Sequence, residues 1–298
     1  MNIYNQIQSN KFKSYFIILL FIGIVTLIFY LAGKYFNHAE QYLYFGLIIS
    51  LVTGIGSYFF SDRIVLGMSG AHPADKKDFF DYYTVTENLC IAAGTQMPKL
   101  YVIDDPVPNA FATGRDTKHA VVAATTGLLE RLDRSEIEGV IAHELSHVKN
   151  YDILVMTVVT VLVGTIGFAV DLIMRAMLWG GLSNDDNRRP NPVAMVVFIA
   201  ALIIMPIIAS LIQFAVSRKR EFLADASGAL LTRNPEGLAS ALEKISSYPQ
   251  QMKHATTATA HMFISNPFKQ GKRSRQWLMN LFSTHPPIEE RIKILRSM

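Results

Sequence analysis

Four long stretches of this chain contain no Asp, Glu, Lys or Arg. They cover residues 14–33, 41–61, 153–170 and 190–217 of the 298 residues. A transmembrane helix needs about 20 apolar residues to cross roughly 30 Å of hydrocarbon. The shortest stretch can continue to residue 175, because Asp171 and Arg175 are spaced to pair on a helix. The pattern therefore predicts an α-helical integral membrane protein with four transmembrane helices.

The polar parts of the chain alternate with two predicted membrane hairpins. Residues 1–61 carry the first hairpin, and residues 153–217 carry the second, with spans at about 153–175 and 192–217. Each hairpin returns the chain to the side of the membrane from which it started. We therefore expect the polar segments 62–152 and 218–298 to face one compartment and to form one split domain.

Charges near the predicted spans indicate which compartment this is. Lys11 and Lys13 precede the first span and residues 218–220 (Arg-Lys-Arg) follow the fourth, whereas the loops on the other side are balanced in charge. The positive-inside rule places both termini and the polar domain in the cytoplasm. The single cysteine, Cys90, fits a reducing compartment. The basic residues account for the net charge of +4 and, without a recognition motif, do not indicate nucleic-acid binding.

Local signals divide the segment 62–152 into helices and short strands. DKKDFFDYYTVTENLCIAAG predicts a helix that ends at Gly94. KLYVI, NAFATG and HAVVAAT predict strands, with GRDTK as a hairpin turn between the last two. In SEIE, Ser135 and Glu138 match a capping box that begins the next helix. We expect a mainly α-helical domain of the α+β class with a small sheet.

The next helix carries the motif HELSH. His143 and His147 lie four residues apart, so their imidazoles project from one helix face at a spacing that suits one metal ion. Glu144 is rotated by about 100° from His143, which suits a general base that holds a water beside the metal. Surface histidines also match this spacing by chance, so the motif alone does not establish a metal site.

A third ligand is expected where the chain returns from the membrane, since a catalytic zinc site takes three protein ligands. The second hairpin brings the residues after 217 back to the membrane face from which the HELSH helix leads. Glu221, in SRKREFLAD, is the expected third ligand, and Asp225 is expected to orient a ligand histidine. The alternative is that both acids pair only with neighbouring basic residues.

The motifs HELSH and SRKREFLADASG, the four spans and the closing THPPIEERI resemble the HtpX family of bacterial membrane zinc metalloproteases, which is related to the CAAX prenyl proteases. The resemblance covers essentially the whole chain. It implies a zincin-like (gluzincin) catalytic domain with Glu144 as the catalytic base and Asp225 beside the metal. It also implies one Zn²⁺ per chain, held by His143, His147 and Glu221.

The same resemblance implies roles for further residues. Arg220 matches an arginine of the family beside the third ligand. Asn109, Ala110 and Phe111 match an edge strand that would hold an extended substrate through backbone hydrogen bonds. His285 matches a C-terminal histidine near the zinc, with an expected role at the oxyanion. A histidine before two prolines is otherwise typical of a structural turn.

The implied function is an endopeptidase of membrane-protein quality control and the stress response. It would act in the bacterial cytoplasmic (inner) membrane on damaged or misassembled membrane proteins and some cytoplasmic proteins. Its expected partners are protein substrates and the lipid bilayer, with no nucleotide or nucleic acid. Since both ligand segments adjoin the second hairpin, we expect that hairpin to set the geometry of the site, whereas removal of the first hairpin should leave a metal site.

Other functions remain open at the level of sequence. A CAAX-type prenyl-protein protease shares this chemistry but is expected to have more spans. A non-catalytic metal-binding membrane protein, such as a transporter, would place its ligands near the bilayer midplane. A protease that cleaves within the membrane would carry HELSH inside an apolar span, whereas charged residues flank it here. The stretch 246–282 fits either a solvated segment or a membrane-surface contact.

Overall fold

The computed structural model describes residues 3–35, 37–180, 218–256, 258–268 and 286–298. Nine helices and four strands lie within these ranges, together with a single 3₁₀ turn at Ala260–Met262. The helices are α1 (Ile3–Tyr35), α2 (Ala39–Met68), α3 (Phe80–Ala93), α4 (Thr126–Arg131), α5 (Arg134–Lys149), α6 (Asp152–Gly180), α7 (Arg218–Thr232), α8 (Pro235–Ser247) and α9 (Ile288–Leu295). The strands are β1 (Ala71–Pro73), β2 (Lys99–Ile103), β3 (Ala110–Thr113) and β4 (Val121–Thr125).

Helices α1 and α2 pack against each other and cover the first predicted membrane hairpin. Within them, Ile7–Leu31 and Ala39–Met68 are each long and apolar enough to cross a membrane, with mean hydropathies of 2.5 and 1.7. The helices pack closely, since a Cβ added to Gly46 would lie 2.5 Å from the Cβ of Phe29. Large apolar side chains such as Leu19 point outward, as contact with lipid requires. Two candidate spans therefore lie where the first two spans are predicted, although α2 continues past residue 61 to Met68.

Helix α6 covers the predicted third span and begins at a sharp bend. Its axis makes an angle of 84° with that of α5. The apolar side chains near its start, from Leu154 to Leu162, are buried in a cluster with residues of α1, α2 and the sheet. Among the described residues, two helices qualify as spans, or three if the bent α5–α6 pair counts as one. The third span therefore stays a prediction, and the fourth, at 190–217, lies outside the described residues.

The predicted strands form a small mixed sheet of order β1-β2-β4-β3. Strand β2 pairs in parallel with β4, and both outer pairings are antiparallel. The turn GRDTK joins β3 and β4, and its Gly114 has φ +132° with no room for a side chain beside His119. The strand positions and the hairpin are confirmed, and β3 lies at one edge of the sheet.

Two helix ends test the local predictions. Helix α3 ends at Gly94, which adopts a left-handed conformation as predicted. The predicted capping box at Ser135 and Glu138 is wrong, because Asp133 is the N-cap of α5 and exchanges hydrogen bonds with Glu136. Glu136 is buried and also accepts a hydrogen bond from Lys244 of α8 at 2.7 Å. Tertiary contacts therefore favour the earlier of two overlapping motifs.

Helix α5 is the centre of the polar domain and packs against α3, α7 and α8. Two glycines let the neighbouring backbones approach it closely. A Cβ on Gly139 would lie 2.6 Å from the backbone nitrogen of Leu238 in α8, and one on Gly228 would lie 3.1 Å from the backbone nitrogen of His143. Helices from the segments 62–152 and 218–298 thus meet at the turn of α5 that carries the first histidine.

Candidate metal centre and active site

Three buried side chains from α5 and α7 converge on one point. The Nε2 atoms of His143 and His147 lie 3.2 Å apart. Glu221 places Oε2 3.9 Å from the first of these nitrogens and Oε1 3.5 Å from the second. Two ligands about 2.05 Å from a tetrahedral zinc ion are separated by about 3.3 Å. The structure therefore brings the three predicted ligands together at a spacing that fits one metal ion.

The second nitrogen of each histidine faces a carboxylate. The Nδ1 atom of His143 lies 2.9 Å from Asp225 Oδ1, and that of His147 lies 3.1 Å from Asp152 Oδ2. A carboxylate at Nδ1 fixes the ring so that Nε2 presents its lone pair. At 3.2 Å the two Nε2 atoms can share either a proton or a metal ion. The donor set thus fits a divalent metal.

Charges around His147 favour a positive charge at this ring. Burial alone would lower the pKa of His147, but the hydrogen bond with Asp152 and the negative charges of Glu221 and Asp152 raise it to about 9. The pKa of His143 is lowered, because burial outweighs the effect of Asp225. His143 Nδ1 and Asp225 Oδ1 are close enough, at 2.9 Å, to form an electrostatic pair.

Asp152 was not predicted as a site residue. It is the first residue of α6 and reaches back to His147 because the chain bends between α5 and α6. Arg220, which the sequence placed beside the third ligand, donates to Asp152 Oδ1 at 3.2 Å. An acid five residues after the second histidine is a weak signal, since nothing local predicts an 84° bend there.

Arg291 is the second site residue that the sequence analysis missed. Its guanidinium is fully buried and donates to both oxygens of Asp225, at 2.8 and 2.7 Å. Although burial raises the pKa of Asp225, the charge of Arg291 and its hydrogen bonds lower it to about 2. Arg291 Nη1 also lies 3.8 Å from Glu221 Oε2. The buried Arg291 thus balances the negative charges of the predicted ligand Glu221 and of Asp225, the acid beside His143.

Glu144 lies beside the cluster with its carboxylate buried. Burial raises its pKa to about 7, an effect that Glu221 reinforces and that His147, Arg291 and the backbone N–H of Ala112 oppose. A carboxyl group that titrates near neutral pH can accept a proton from water and return it. The position and pKa of Glu144 suit the role of a general base that the motif predicts.

The predicted edge strand is β3, which lies directly against α5. The Asn109 side chain donates from Nδ2 to the Ser265 carbonyl at 2.9 Å, and Ile264 N–H donates to the Ala110 carbonyl at 2.9 Å. Phe111 is buried and turns back into the core. Residues 264–265 of the same chain therefore form hydrogen bonds with the Ala110 carbonyl and the Asn109 side chain, at the edge where the substrate is predicted to bind. His285 lies outside the described residues.

The chain is similar in sequence to a known family of peptidases. Residues 80–298 match the model of Peptidase family M48. The chain is 45% identical to a Protease HtpX homolog of Caldanaerobacter subterraneus subsp. tengcongensis, over 99% of this chain and 98% of the relative. It is 46% identical, with the same coverage of both chains, to a Protease HtpX homolog of Tropheryma whipplei (strain Twist). Among solved structures, Ste24p of S. mikatae aligns with 18% identity and a TM-score of 0.49, over 98% of this chain and 67% of that one.

Proposed function

This chain belongs to Peptidase family M48 as a membrane metalloprotease related to the HtpX proteases, and from this premise we propose that it is a zinc endopeptidase of membrane-protein quality control. The observation that carries the proposal is the buried triad of His143, His147 and Glu221 with Glu144 beside it. Two imidazoles and one carboxylate are a ligand set that suits zinc among the common divalent metals.

Glu144 carries the proton in the proposed reaction. Bound at the triad, Zn²⁺ would polarise the peptide carbonyl and acidify water. Glu144 takes a proton from the attacking water and delivers it to the leaving amine, for which a pKa of about 7 is well placed. Burial of this carboxylate keeps bulk water from holding it in the ionised form. His285 remains a proposed contributor at the oxyanion.

The proposed substrates follow from where the centre lies on the chain. His147 is five residues from the start of α6, whose first turns pack against the membrane helices α1 and α2. A centre tied so closely to membrane helices meets water-exposed segments of membrane proteins at the bilayer surface. We place it on the cytoplasmic side of the inner membrane because basic residues flank the spans there. The HtpX relatives, which match nearly end to end, favour this role over CAAX processing.

Cleavage of labelled casein by the full chain in detergent tests the enzymatic proposal. Glu144→Gln is expected to retain one zinc per chain and to lose cleavage by at least about 100-fold, since it removes the base and no ligand. Glu138→Gln is the matched control, because this half-buried acid lies on the same helix away from the triad. Undiminished cleavage by Glu144→Gln would refute the proposed mechanism.

The preference for membrane substrates needs a separate comparison. In proteoliposomes, one unstructured peptide is offered either fused to a membrane anchor or free in solution. The proposal predicts faster cleavage of the anchored form at equal bulk concentration. Equal rates for both forms would remove the argument for membrane-protein quality control while leaving the protease assignment intact.

A further inference from the structure

Asn10 is a buried polar residue near the start of α1, within the candidate span Ile7–Leu31. The residue is only 3% exposed and lies beside Lys11, just before the charge-free part of the span. A buried amide is costly unless its donors and acceptor are hydrogen-bonded. The partners of Asn10 therefore explain what it does in this helix.

These partners lead directly to the candidate metal centre. Asn10 Nδ2 donates to Asp152 Oδ1 at 2.8 Å and to the Asn150 carbonyl at 2.9 Å. Arg220 donates to the same Asp152 oxygen at 3.2 Å. With two donors on Oδ1, the carboxylate presents Oδ2 to His147 Nδ1, 3.1 Å away. Asn10 thus fixes the rotation of the carboxylate that orients a predicted ligand.

Asn10 also lies at the bend that makes the contact between Asp152 and His147 possible. Helix α5 ends at Lys149 with Asn150 as its C-cap, Tyr151 has a positive φ of 60°, and α6 begins at Asp152. A non-glycine residue adopts this conformation only when its surroundings impose it. Lys11, the neighbour of Asn10, places its ammonium 4.6 Å from the centre of the Tyr151 ring. Two consecutive residues of α1 therefore contact all three residues of the bend.

We propose that Asn10 is a positioning residue for the metal ligand His147, acting through Asp152. The inference rests on the proposed function in one respect, that the triad binds a metal. Asn10 itself is separated from the ligand atoms by the Asp152 carboxylate. The first membrane helix is then a structural part of the metal centre, contrary to the expectation that removal of the first hairpin leaves a metal site.

This inference is tested by the zinc affinity of the full chain in detergent. The affinity is measured by competition with a chelating dye, in a Glu144→Gln background that prevents self-cleavage. Asn10→Ala is expected to weaken zinc binding about 10-fold, at the low end of the range for residues behind metal ligands. Asn10→Leu, which keeps the number and branching of the heavy atoms but removes the amide, should weaken it equally. Ser14→Ala is the control, because Ser14 is also buried one turn later, and within the described ranges its hydroxyl donates to the carbonyl of Asn10 and not to Asp152.

A double-variant cycle separates positioning from general support of the fold. In an Asp152→Ala background, Asn10→Ala should produce no further loss of zinc affinity, because the group through which it acts is gone. If the fold-losses of zinc affinity in the two single variants multiplied in the double variant, the inference would be overturned. A loss of affinity in Asn10→Ala but not in Asn10→Leu would also overturn it. A wild-type chain without zinc affinity would refute the proposed function as well, whereas zinc binding that ignores Asn10 would refute this inference alone.

Discussion

Replacing Arg291 with methionine is expected to destabilise the protein by about 3–5 kcal/mol, because it leaves a buried carboxylate without its cation. The guanidinium is fully buried and makes a two-pronged contact with Asp225, whose pKa it helps to lower to about 2. It also donates to the Ile264 carbonyl at 3.0 Å. Methionine fills part of the space but donates no hydrogen bond. The loss therefore combines an unpaired charge with an unsatisfied carbonyl.

Thermal unfolding of the metal-free chain in detergent measures this effect. A destabilisation of this size corresponds to a fall in Tm of roughly 6–20 °C, at about 2–4 °C per kcal/mol for a folded unit of 150–250 residues. Arg296→Met is the matched control, because Arg296 lies at the end of the same helix and pairs on the surface with Glu236 and Glu243. Water screens exposed pairs of this kind, so the Tm of this variant should fall by much less than that of Arg291→Met.

A second substitution distinguishes the buried charge from lost packing. In Arg291→Met combined with Asp225→Leu, both charges are absent, and much of the lost stability should return. Zinc affinity should nevertheless stay weak, since His143 has lost its carboxylate. A single Arg291→Met variant that unfolds at the same temperature as Arg296→Met would refute the reasoning, because the pair would then contribute nothing measurable.

Three further outcomes are expected. Asp152→Asn should weaken zinc binding by about 10- to 100-fold in chelator competition, because a neutral amide no longer supports His147; unchanged affinity would contradict this role. Peptide cleavage should decline as the pH falls through the pKa of Glu144, since the base must be ionised. A cation in the triad lowers that pKa from about 7, so the midpoint of the kcat/KM profile should lie below pH 7. A midpoint above pH 8 would exclude this base. A cysteine at Asn37 should react with an impermeant thiol reagent on intact cells and one at Asp116 only after permeabilisation, and the reverse pattern would invert the topology.

Features set by local backbone geometry, and one ligand set by the direction of the chain, were predictable from the sequence. A spacing of four residues places His143 and His147 on one face of any α-helix, whatever packs against it. Gly94 ends α3 because a left-handed residue at this position favours glycine. Glu221 was predicted by topology, since a hairpin must return the chain to the side from which it left. These inferences needed only backbone geometry and chain direction.

Several features depended on which of many similar residues meet in space. Asp133 and Ser135 both begin a sequence that matches a capping box, and only the contacts of Glu136 with α8 distinguish them. The charge-free run that begins at Ile153 is typical of lipid contact, yet its first turns are buried by α1, α2 and the sheet. Apolar composition shows that a segment avoids water, but it does not show whether lipid or protein replaces the water.

The residues that contact the predicted ligands or their partner acids could be identified only from the tertiary structure. Asp152 reaches His147 through a bend at Tyr151, where the sequence has neither Gly nor Pro, and Asn10 contacts Asp152 across 142 positions of the chain. Arg291 meets Asp225 from a helix 66 positions away. The α-helical repeat determines the spacing of His143 and His147, so the sequence specifies it. The partners of those ligands are set by how separate helices pack, and this depends on the sum of many weak contacts along the whole chain.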